Sequence, residues 1–527
     1  MTRILVCDGM HESGLELLRS AEGVEVDAPE QWSADAVREN LPEYDAMVVR
    51  SRTKVTSRML ENATKLKVVG RAGTGVDNID IQAASSRGIL VMNTPGANST
   101  AAAEHTMALM LALARHVPQA TQSLREGKWE KKRFMGTELY HQTLGVVGLG
   151  RIGAIVADRA LGMKMDVLGY DPYIGADAAA TMGVEWVPLE ELLARSDFIT
   201  LHTPLTDQTR HIVNRGSIGL MKKGVRIVNC ARGGLVDEEA LHEALVDGRV
   251  AGAALDVFEK EPPADHPLLS LQNAVFTPHL GASSVQAQAN VGRAMASQLL
   301  DYLQKNLIRN AVNFPSISSR DHERIRPYLT LAERLGGLQG QLCSRIEQLE
   351  IEYSGEDLLQ LPLQPLTQTV VKGLLDPILS EKVNLVNASL LLEQRHIRLL
   401  TSTTSDKRGY TSLITVRAQG ADGRYSATGA VFPGDEIRLV RLNTYRLEAE
   451  LEGTNLIVQN LDKPGMIGFI GTTLGNHRLN IANMHLSRTP EKDRAIAIMR
   501  LDGEAPAEAL EALLAHPDIL MARQVKL

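Results

Sequence analysis

A chain of 527 residues, at roughly 150 residues per domain, has room for three to four domains and several cores, which excludes a small disulfide-stapled scaffold. With 56 Lys+Arg against 63 Asp+Glu, 44% hydrophobic and 23% charged residues, the composition is that of an ordinary globular protein, not a disordered chain. A formal charge of -7 with only 4% aromatic residues argues against nucleic acid as a partner, because single-strand binding uses basic grooves and aromatic platforms.

Cys7, Cys230 and Cys343 lie far apart, without the paired spacing of a disulfide framework or a thiolate zinc site. No metal is expected, and a cytoplasmic location fits. The apolar run Met107 to Ala114 is much shorter than the roughly 20 residues of a membrane span. Arg3 precedes only Ile4 to Cys7 before Asp8 intervenes, which reads as a first strand rather than a secretory signal.

From residue 1 to about 95, short β-branched runs (RILVCD, VEVDA, AMVVR, KVVGR, ILVMN) alternate with helical stretches, which predicts a parallel α/β sheet. Asn98 to His116 reads as one long Ala-rich helix. QTLGVVGLG then opens a second α/β unit, continued by MDVLGYD, DFITLH, VRIVNCA, AGAALDV and AVFTPH. Such near-continuous apolar runs suit strands covered on both faces. Ser283 to Asn306 has the 3.6-residue period of a helix that could return to the first lobe. After NFPSIS the pattern changes to the amphipathic helix ERIRPYLTLAERLGGLQGQL, then strands LEIEYSG, YSATGAVF and EIRLVRL, an α+β segment. From Asn455 a βαββα order suggests a small ferredoxin-like module.

Gly148, Gly150 and Gly153 in VVGLGRIGA follow a predicted strand and open a predicted helix, the context that separates a dinucleotide-binding turn from chance glycines. Gly148 permits the tight turn, Gly150 lets backbone approach a pyrophosphate, and Gly153 lets helix and strand pack closely. The helix N-terminus supplies free N–H groups and positive potential. Asp171 ends the next strand, 18 residues beyond Gly153, where a carboxylate accepts from ribose hydroxyls and repels a 2'-phosphate. NAD is therefore expected rather than NADP. GRAGTGVD at Gly70 to Asp77 lacks this spacing, and its glycines read as loop glycines.

A dehydrogenase of hydroxy acids needs a base for the hydroxyl proton and a cation for the carboxylate, both at the carboxyl ends of strands. NCARGG presents Arg232 there, TPHLGAS presents His279, and DVFEKEPP presents Asp256 and Glu261. A carboxylate partner would fix the imidazole tautomer and stabilise the imidazolium. Glu261 and His279 stand 18 positions apart, and spacing alone does not bring them together.

These motifs, with VVRSRTKVT, VVGRAGTGVDNID, NTPGANSTAAAEHT and NCARGGLVDEEAL, resemble those of the D-3-phosphoglycerate dehydrogenase family, within the D-2-hydroxyacid dehydrogenase superfamily. The resemblance covers nearly all of residues 1 to 312, and the remainder looks like that family's long form, with an intervening regulatory domain and a terminal ACT domain carrying DKPGMIG and LNIANM. It implies two Rossmann-like doubly wound parallel-sheet lobes, an α+β intervening domain and a ferredoxin-like βαββαβ ACT domain. Residues 1–97 with 283–312 would bind substrate, 98–282 NAD, with 313–452 intervening and 453–527 the ACT domain.

The resemblance further implies that Arg232 binds and polarises substrate, that His279 is the general acid/base and that Glu261 orients it. Thr74, Arg151, Ile152, Asp171, Thr203, Cys230, Ala231 and Asp256 would line the NAD site with the glycines, Arg232 and His279, with Asp256 at the nicotinamide amide. The backbone of Leu280, Gly281 and Ala282 would close the pocket. Arg50, Arg71 and Asn98 would join Arg232 and His279 around the substrate, 3-phosphoglycerate. Serine would be an allosteric effector bound between two such ACT domains at Asn460, Asp462 and Asn480, although Asn460 departs from the aromatic or imidazole side chain often found there. Gln286 likewise replaces an acid common after the histidine. Paired ACT domains and a core dimer would build a homotetramer. Alternatives are another D-2-hydroxyacid dehydrogenase, such as a glyoxylate or 2-oxoglutarate reductase, and an NAD-sensing binding protein on the same fold.

Overall fold

The structure is a computed structural model that describes the chain apart from Glu30, Gln31, Ser316, Ser318, Lys407, Arg408 and Asp422. The first β-branched runs form a five-stranded parallel sheet in the spatial order Val24–Asp27, Thr2–Val6, Ala46–Val49, Val68–Arg71, Leu90–Asn93. Because successive side chains point to opposite faces, Ile4, Val6 and Val48 enter one apolar layer and Leu5, Met47 and Val49 the other. The helix Val285–Lys305 returns to this lobe and sets Val291, Met295 and Leu299 against Ile4 and Leu90. Beyond it, the Val312 N–H donates to the Val91 carbonyl at 2.7 Å.

The second sheet has seven parallel strands in the order Ala274–Phe276, Val250–Leu255, Val225–Asn229, Phe198–Leu201, Thr143–Val147, Asp166–Tyr170, Glu185–Trp186. Its first strand in sequence, Thr143–Val147, lies inside the sheet, and later strands lead away on both sides. The crevice between it and Phe198–Leu201 is the topological switch point, where open α/β sheets bind ligands. The long helix expected over Asn98 to His116 runs from Ser99 to Ala114, and the expectation omitted a second helix, Val117–Arg125, which starts after His116 with its left-handed φ of 52°. Pro118 in the new first turn lacks the N–H that would have continued the earlier helix.

In the third sheet, Gln348–Ser354 pairs in parallel with Arg398–Thr404 and antiparallel with Leu413–Gly420, and Gly423–Phe432, Glu436–Leu442 and Tyr445–Glu450 continue antiparallel. Helices Ser319–Leu342 and Leu363–Leu375 cover one face through Leu331, Leu335, Val370 and Leu374. The last sheet is antiparallel, ordered Ile481–Arg488, Arg494–Leu501, Thr454–Leu461, Ile519–Lys526. Its closing strand completes a βαββαβ module. Leu456, Val458 and Met499 pack under that module's own helices, whereas Ile457, Ile496, Ile498 and Val525 join the core of the third sheet. The architecture is thus α/β, with two doubly wound lobes followed by mixed and antiparallel sheets. Among the described residues no helix is long and apolar enough to cross a membrane, and no group of His, Cys, Asp and Glu could hold a metal ion.

Candidate active site

Strand ends of the second sheet bring the base and its carboxylate together. His279, three residues past Ala274–Phe276, has a φ of 56°, a left-handed conformation that a non-glycine residue keeps only where its surroundings hold it. The hold comes from Asp256. Its carbonyl accepts the His279 N–H at 2.9 Å, and its carboxylate accepts the N–H groups of Leu280 and Gly281 at 2.7 and 2.8 Å. Nδ1 of His279 then lies 2.8 Å from Glu261 Oε2, while the Phe258 N–H donates to Glu261 Oε1 at 3.2 Å.

This hydrogen bond, with the charge of Glu261, raises the imidazole pKa against the opposing effect of burial. Burial alone would raise the Glu261 carboxyl, but the bond and charge of His279 hold it below the usual carboxylate range. With Nδ1 engaged, Nε2 has no bond to a described residue and is the atom left for a ligand's proton.

A cleft of about 840 Å³ between the two lobes is lined by His279, Glu261, Arg232, Arg71, Arg50, Asn98 and Ala282. Arg232 leaves its strand through a knot made by Asn229, whose Oδ1 accepts the Ala231 N–H at 3.0 Å and whose Nδ2 donates to the Arg232 carbonyl at 2.9 Å. Its Nη1 donates to the Ala231 carbonyl, and its Nε donates to Asp77 at 3.1 Å. Asp77 belongs to the first lobe, so this ion pair crosses the cleft. Gly75 leaves room for the guanidinium, since a Cβ there would lie 2.1 Å from Arg232 Nη2 and would make it shift.

Arg71 ends the strand Val68–Arg71. Its Nη1 donates to the Ala72 carbonyl, yet its Nε is buried with no partner. Burial, then the charges of Arg232 and Arg50, hold this guanidinium below its ordinary pKa. A buried donor short of a partner among like charges is a site for an anion. Arg50 is set by Asp8, which accepts the Arg50 N–H at 2.7 Å and the Thr53 hydroxyl at 2.6 Å, and by Asn78, whose Nδ2 donates to the Arg50 carbonyl at 2.7 Å. Asp8, Asp77 and Asn78 were absent from the expected site. Asp77 and Asn78 sit in the GRAGTGVDNID run, of which the expected site includes only Arg71 and Thr74.

At the switch point, Gly148 has a φ of 96°, and a Cβ there would lie 2.7 Å from the His202 carbonyl. A Cβ on Gly153 would lie 1.9 Å from the Gly148 carbonyl oxygen, whereas Gly150 faces open space. Gly150 caps the helix Arg151–Gly162 without a side-chain bond, so the first-turn N–H groups remain for an anion. Asp171 accepts from the Leu149 N–H at 2.9 Å through one oxygen and from the Tyr173 N–H at 2.8 Å through the other, leaving a lone pair on each. Beside the glycine turn, the Thr203 hydroxyl is buried and unpartnered. Ile152 packs into the lobe's core, Arg151 passes 3.4 Å from the Cβ position of Gly96 in the segment leading out of the first lobe, and Thr74 donates to Asn98 at 2.7 Å. Burial pushes the Cys230 thiol up to about 12, so it stays protonated and inert.

These contacts give Asp256 a structural part as well. Asp256 is 1% exposed and its carboxylate already accepts four hydrogen bonds, so it is a scaffold for the His279 turn as much as a pocket wall. The N–H groups of Leu280 and Gly281 are committed to that carboxylate, which leaves their carbonyls and Cα atoms to line the pocket.

In the last module, Asn460 is 1% exposed, donates to the Leu461 carbonyl and has an unpartnered buried Oδ1. Asp462 pairs with Arg488 at 3.2 Å, and Asn480 donates to Asp502 at 2.6 Å. Asn460 lies opposite Ala495 and Asn480 beside Asp502, seven positions or about 24 Å apart along the same strand direction. One chain therefore does not bring these three residues together.

Two family models match the sequence: the D-isomer specific 2-hydroxyacid dehydrogenase NAD binding domain over residues 107–281, and the D-3-phosphoglycerate dehydrogenase intervening domain over residues 324–443. A D-3-phosphoglycerate dehydrogenase of Methanocaldococcus jannaschii is 44% identical over 521 residues, 98% of either chain. The chain belongs to the D-3-phosphoglycerate dehydrogenase family. The Bacillus subtilis member is 38% identical over all of both chains. Among solved structures, a D-lactate dehydrogenase from Aquifex aeolicus in complex with NAD and lactic acid is 29% identical, with a TM-score of 0.53 over 59% of this chain and 100% of that one.

The groove at the switch point fits NAD on its own evidence. The side-chain-free approach at Gly150, the uncapped helix start, the two free lone pairs of Asp171 and the orphaned Thr203 hydroxyl are the donors and acceptors a dinucleotide uses.

Proposed function

We propose that the chain catalyses the NAD-dependent oxidation of 3-phospho-D-glycerate to 3-phosphooxypyruvate, the first step of L-serine biosynthesis. The observation that carries this reading is the His279–Glu261 pair facing a cleft with three arginines, one of them holding a buried, unmatched donor. Bound NAD supplies the acceptor for the hydride from C2. His279 takes the hydroxyl proton at Nε2, and Glu261 fixes the tautomer at Nδ1 and stabilises the imidazolium that forms. Arg232 holds the substrate carboxylate and polarises the developing carbonyl. Arg50 and Arg71 neutralise the phosphate, with Asn98 at their side.

NAD would be held by Gly148, Gly150, Arg151, Ile152 and Gly153 at the pyrophosphate, Asp171 at the ribose, and Thr203, Cys230, Ala231 and Thr74 along the groove. The two lobes, 1–97 with 283–312 and 98–282, form the reaction cleft, and 313–452 with 453–527 regulate it. Because Asn460 and Asn480 lie far apart in one chain, serine would bind between the terminal modules of two copies in a cytoplasmic homotetramer. The test is NADH formation from 3-phosphoglycerate, compared with lactate and 2-hydroxyglutarate, with and without serine. Preferential turnover of 3-phosphoglycerate supports the reading. Tight NADH binding without turnover of any hydroxy acid would overturn it in favour of a sensor.

A further inference from the structure

Behind the proposed base lies a polar cluster that the reaction as described does not use. Asp256 follows the strand Val250–Leu255, Thr277 follows the neighbouring strand Ala274–Phe276, and His105 reaches both from the helix Ser99–Ala114. His105 Nε2 lies 3.2 Å from Asp256 Oδ1 and 3.0 Å from Thr277 Oγ1, and the Thr277 hydroxyl lies 2.6 Å from the same Asp256 oxygen.

The protons in this triangle can be assigned. Burial pushes the Asp256 carboxyl up, but the bonds from His105, Thr277, Leu280 and Gly281 bring it below the usual carboxylate range, so it is an anion that only accepts. The single hydroxyl hydrogen of Thr277 is then directed to Asp256, and the hydroxyl shows His105 a lone pair. Both neighbours of Nε2 are acceptors, so Nε2 carries a hydrogen. A protein contact thus selects the His105 tautomer.

The anchored carboxylate controls the turn that carries His279. Through Leu280 N–H, Gly281 N–H and its own carbonyl to His279 N–H, Asp256 holds three consecutive residues, including the left-handed one. Were the His105 and Thr277 donors lost, only the Leu280 and Gly281 N–H groups would hold the carboxylate, which could then tilt and let the turn relax, carrying the imidazole away from Glu261 and from a bound substrate. We infer that His105 is a positioning residue for the dehydrogenase reaction: its Nε2–H, with the Thr277 hydroxyl, locks the Asp256 carboxylate that sets the place of His279. This rests on the reading of His279 as the base.

The lock predicts which substitutions will do. A glutamine amide nitrogen stands near the place of an imidazole Nε2, and an asparagine amide near Nδ1. His105→Leu is expected to lower kcat for 3-phosphoglycerate oxidation by up to about 100-fold, the scale of a misplacement near 1 Å, while the KM for substrate changes far less. His105→Gln restores most of that loss and His105→Asn does not. Thr277→Val and Thr277→Ser form a second pair, with loss in the first and recovery in the second, and they decide the matter if His105→Leu fails to fold. Binding of NAD, followed by fluorescence titration, reports folding in every variant. Wild-type kcat in folded His105→Leu, or Gln no better than Asn, would overturn the inference. His279→Gln in the same assay separates the two readings. If it stays active, the base assignment itself has failed; if it is inactive while His105→Leu is normal, only the positioning role has.

Discussion

Three glycines around one helix give the dinucleotide groove a quantitative test. A Cβ on Gly153 would lie 1.9 Å from the Gly148 carbonyl oxygen and 3.0 Å from the Gly148 carbonyl carbon. Side-chain carbons essentially never approach within 3.0 Å of a backbone atom, so relief requires at least the 1.1 Å between those figures. Both partners are backbone, so either the helix Arg151–Gly162 or the turn at Gly148 must move. Overpacking of this kind costs about 1–3 kcal/mol, and a displacement near 1 Å at a binding turn weakens function by up to about 100-fold. Gly153→Ala should therefore lose both stability and NAD affinity. Gly150→Ala has nothing within 4 Å of the added carbon, so it should keep its stability and lose NAD affinity alone, through obstruction of the pyrophosphate. Gly162→Ala, also in open space at the far end of the helix, should lose neither. Thermal melting without ligand and calorimetric titration with NAD read the two effects separately. Gly153→Ala with unchanged affinity, or Gly150→Ala with unchanged affinity and stability, would refute this account of the groove.

Glu261→Gln removes the charge that raises the His279 pKa and leaves only a neutral acceptor at Nδ1, and the base works only when neutral. The acid limb of kcat/KM should move to lower pH while kcat falls by roughly 10²-fold or more; a limb that stays in place would count against the pair. The pair's contribution to stability should exist only between the lowered pKa of Glu261 and the raised pKa of His279, vanishing below the first as the carboxylate protonates and above the second as the imidazolium is lost. Asp171→Ala should shift cofactor preference towards NADP and, through the lost Leu149 and Tyr173 bonds, cost about 1–3 kcal/mol of stability. An unchanged NAD to NADP ratio in kcat/KM would show the acid plays no part in selection. Arg71→Met should raise the KM for 3-phosphoglycerate by about 10- to 150-fold, the worth of a charged hydrogen bond, without destabilising the lobe, because it removes a buried donor that lacks a partner. Retained KM would place the phosphate elsewhere.

What was legible in the sequence depended on how local the physical requirement is. Most of the parallel strands could be read because burial on both faces writes an apolar run, as in Ala46–Val49 and Phe198–Leu201. Gly148, Gly150 and Gly153 could be read because a tight turn, a close approach and a helix start fall within six residues. The strand Glu185–Trp186 left no signal in two residues, and the helix Val117–Arg125 left no apolar stripe because Ser123 alone of its residues is buried. Long-range contacts were not legible from spacing. Glu261 meets His279 across 18 positions, Arg232 meets Asp77 across 155, and His105 meets Asp256 across 151. Family resemblance supplied Glu261 but not Asp8, Asp77, His105 or Thr277, which act by holding other residues. Strand register sets Asn460 and Asn480 at opposite ends of a sheet, a separation that residue spacing did not show.

The central claim is that His279 carries the proton in a reaction whose cofactor binds elsewhere in the groove. Turnover of 3-phosphoglycerate and NAD binding, measured side by side on His279→Gln, test it most directly. NADH formation should fall by about 10²- to 10⁴-fold with NAD affinity essentially that of the wild type. Near-normal turnover in this variant, or loss of NAD binding with chemistry retained per bound complex, would contradict it.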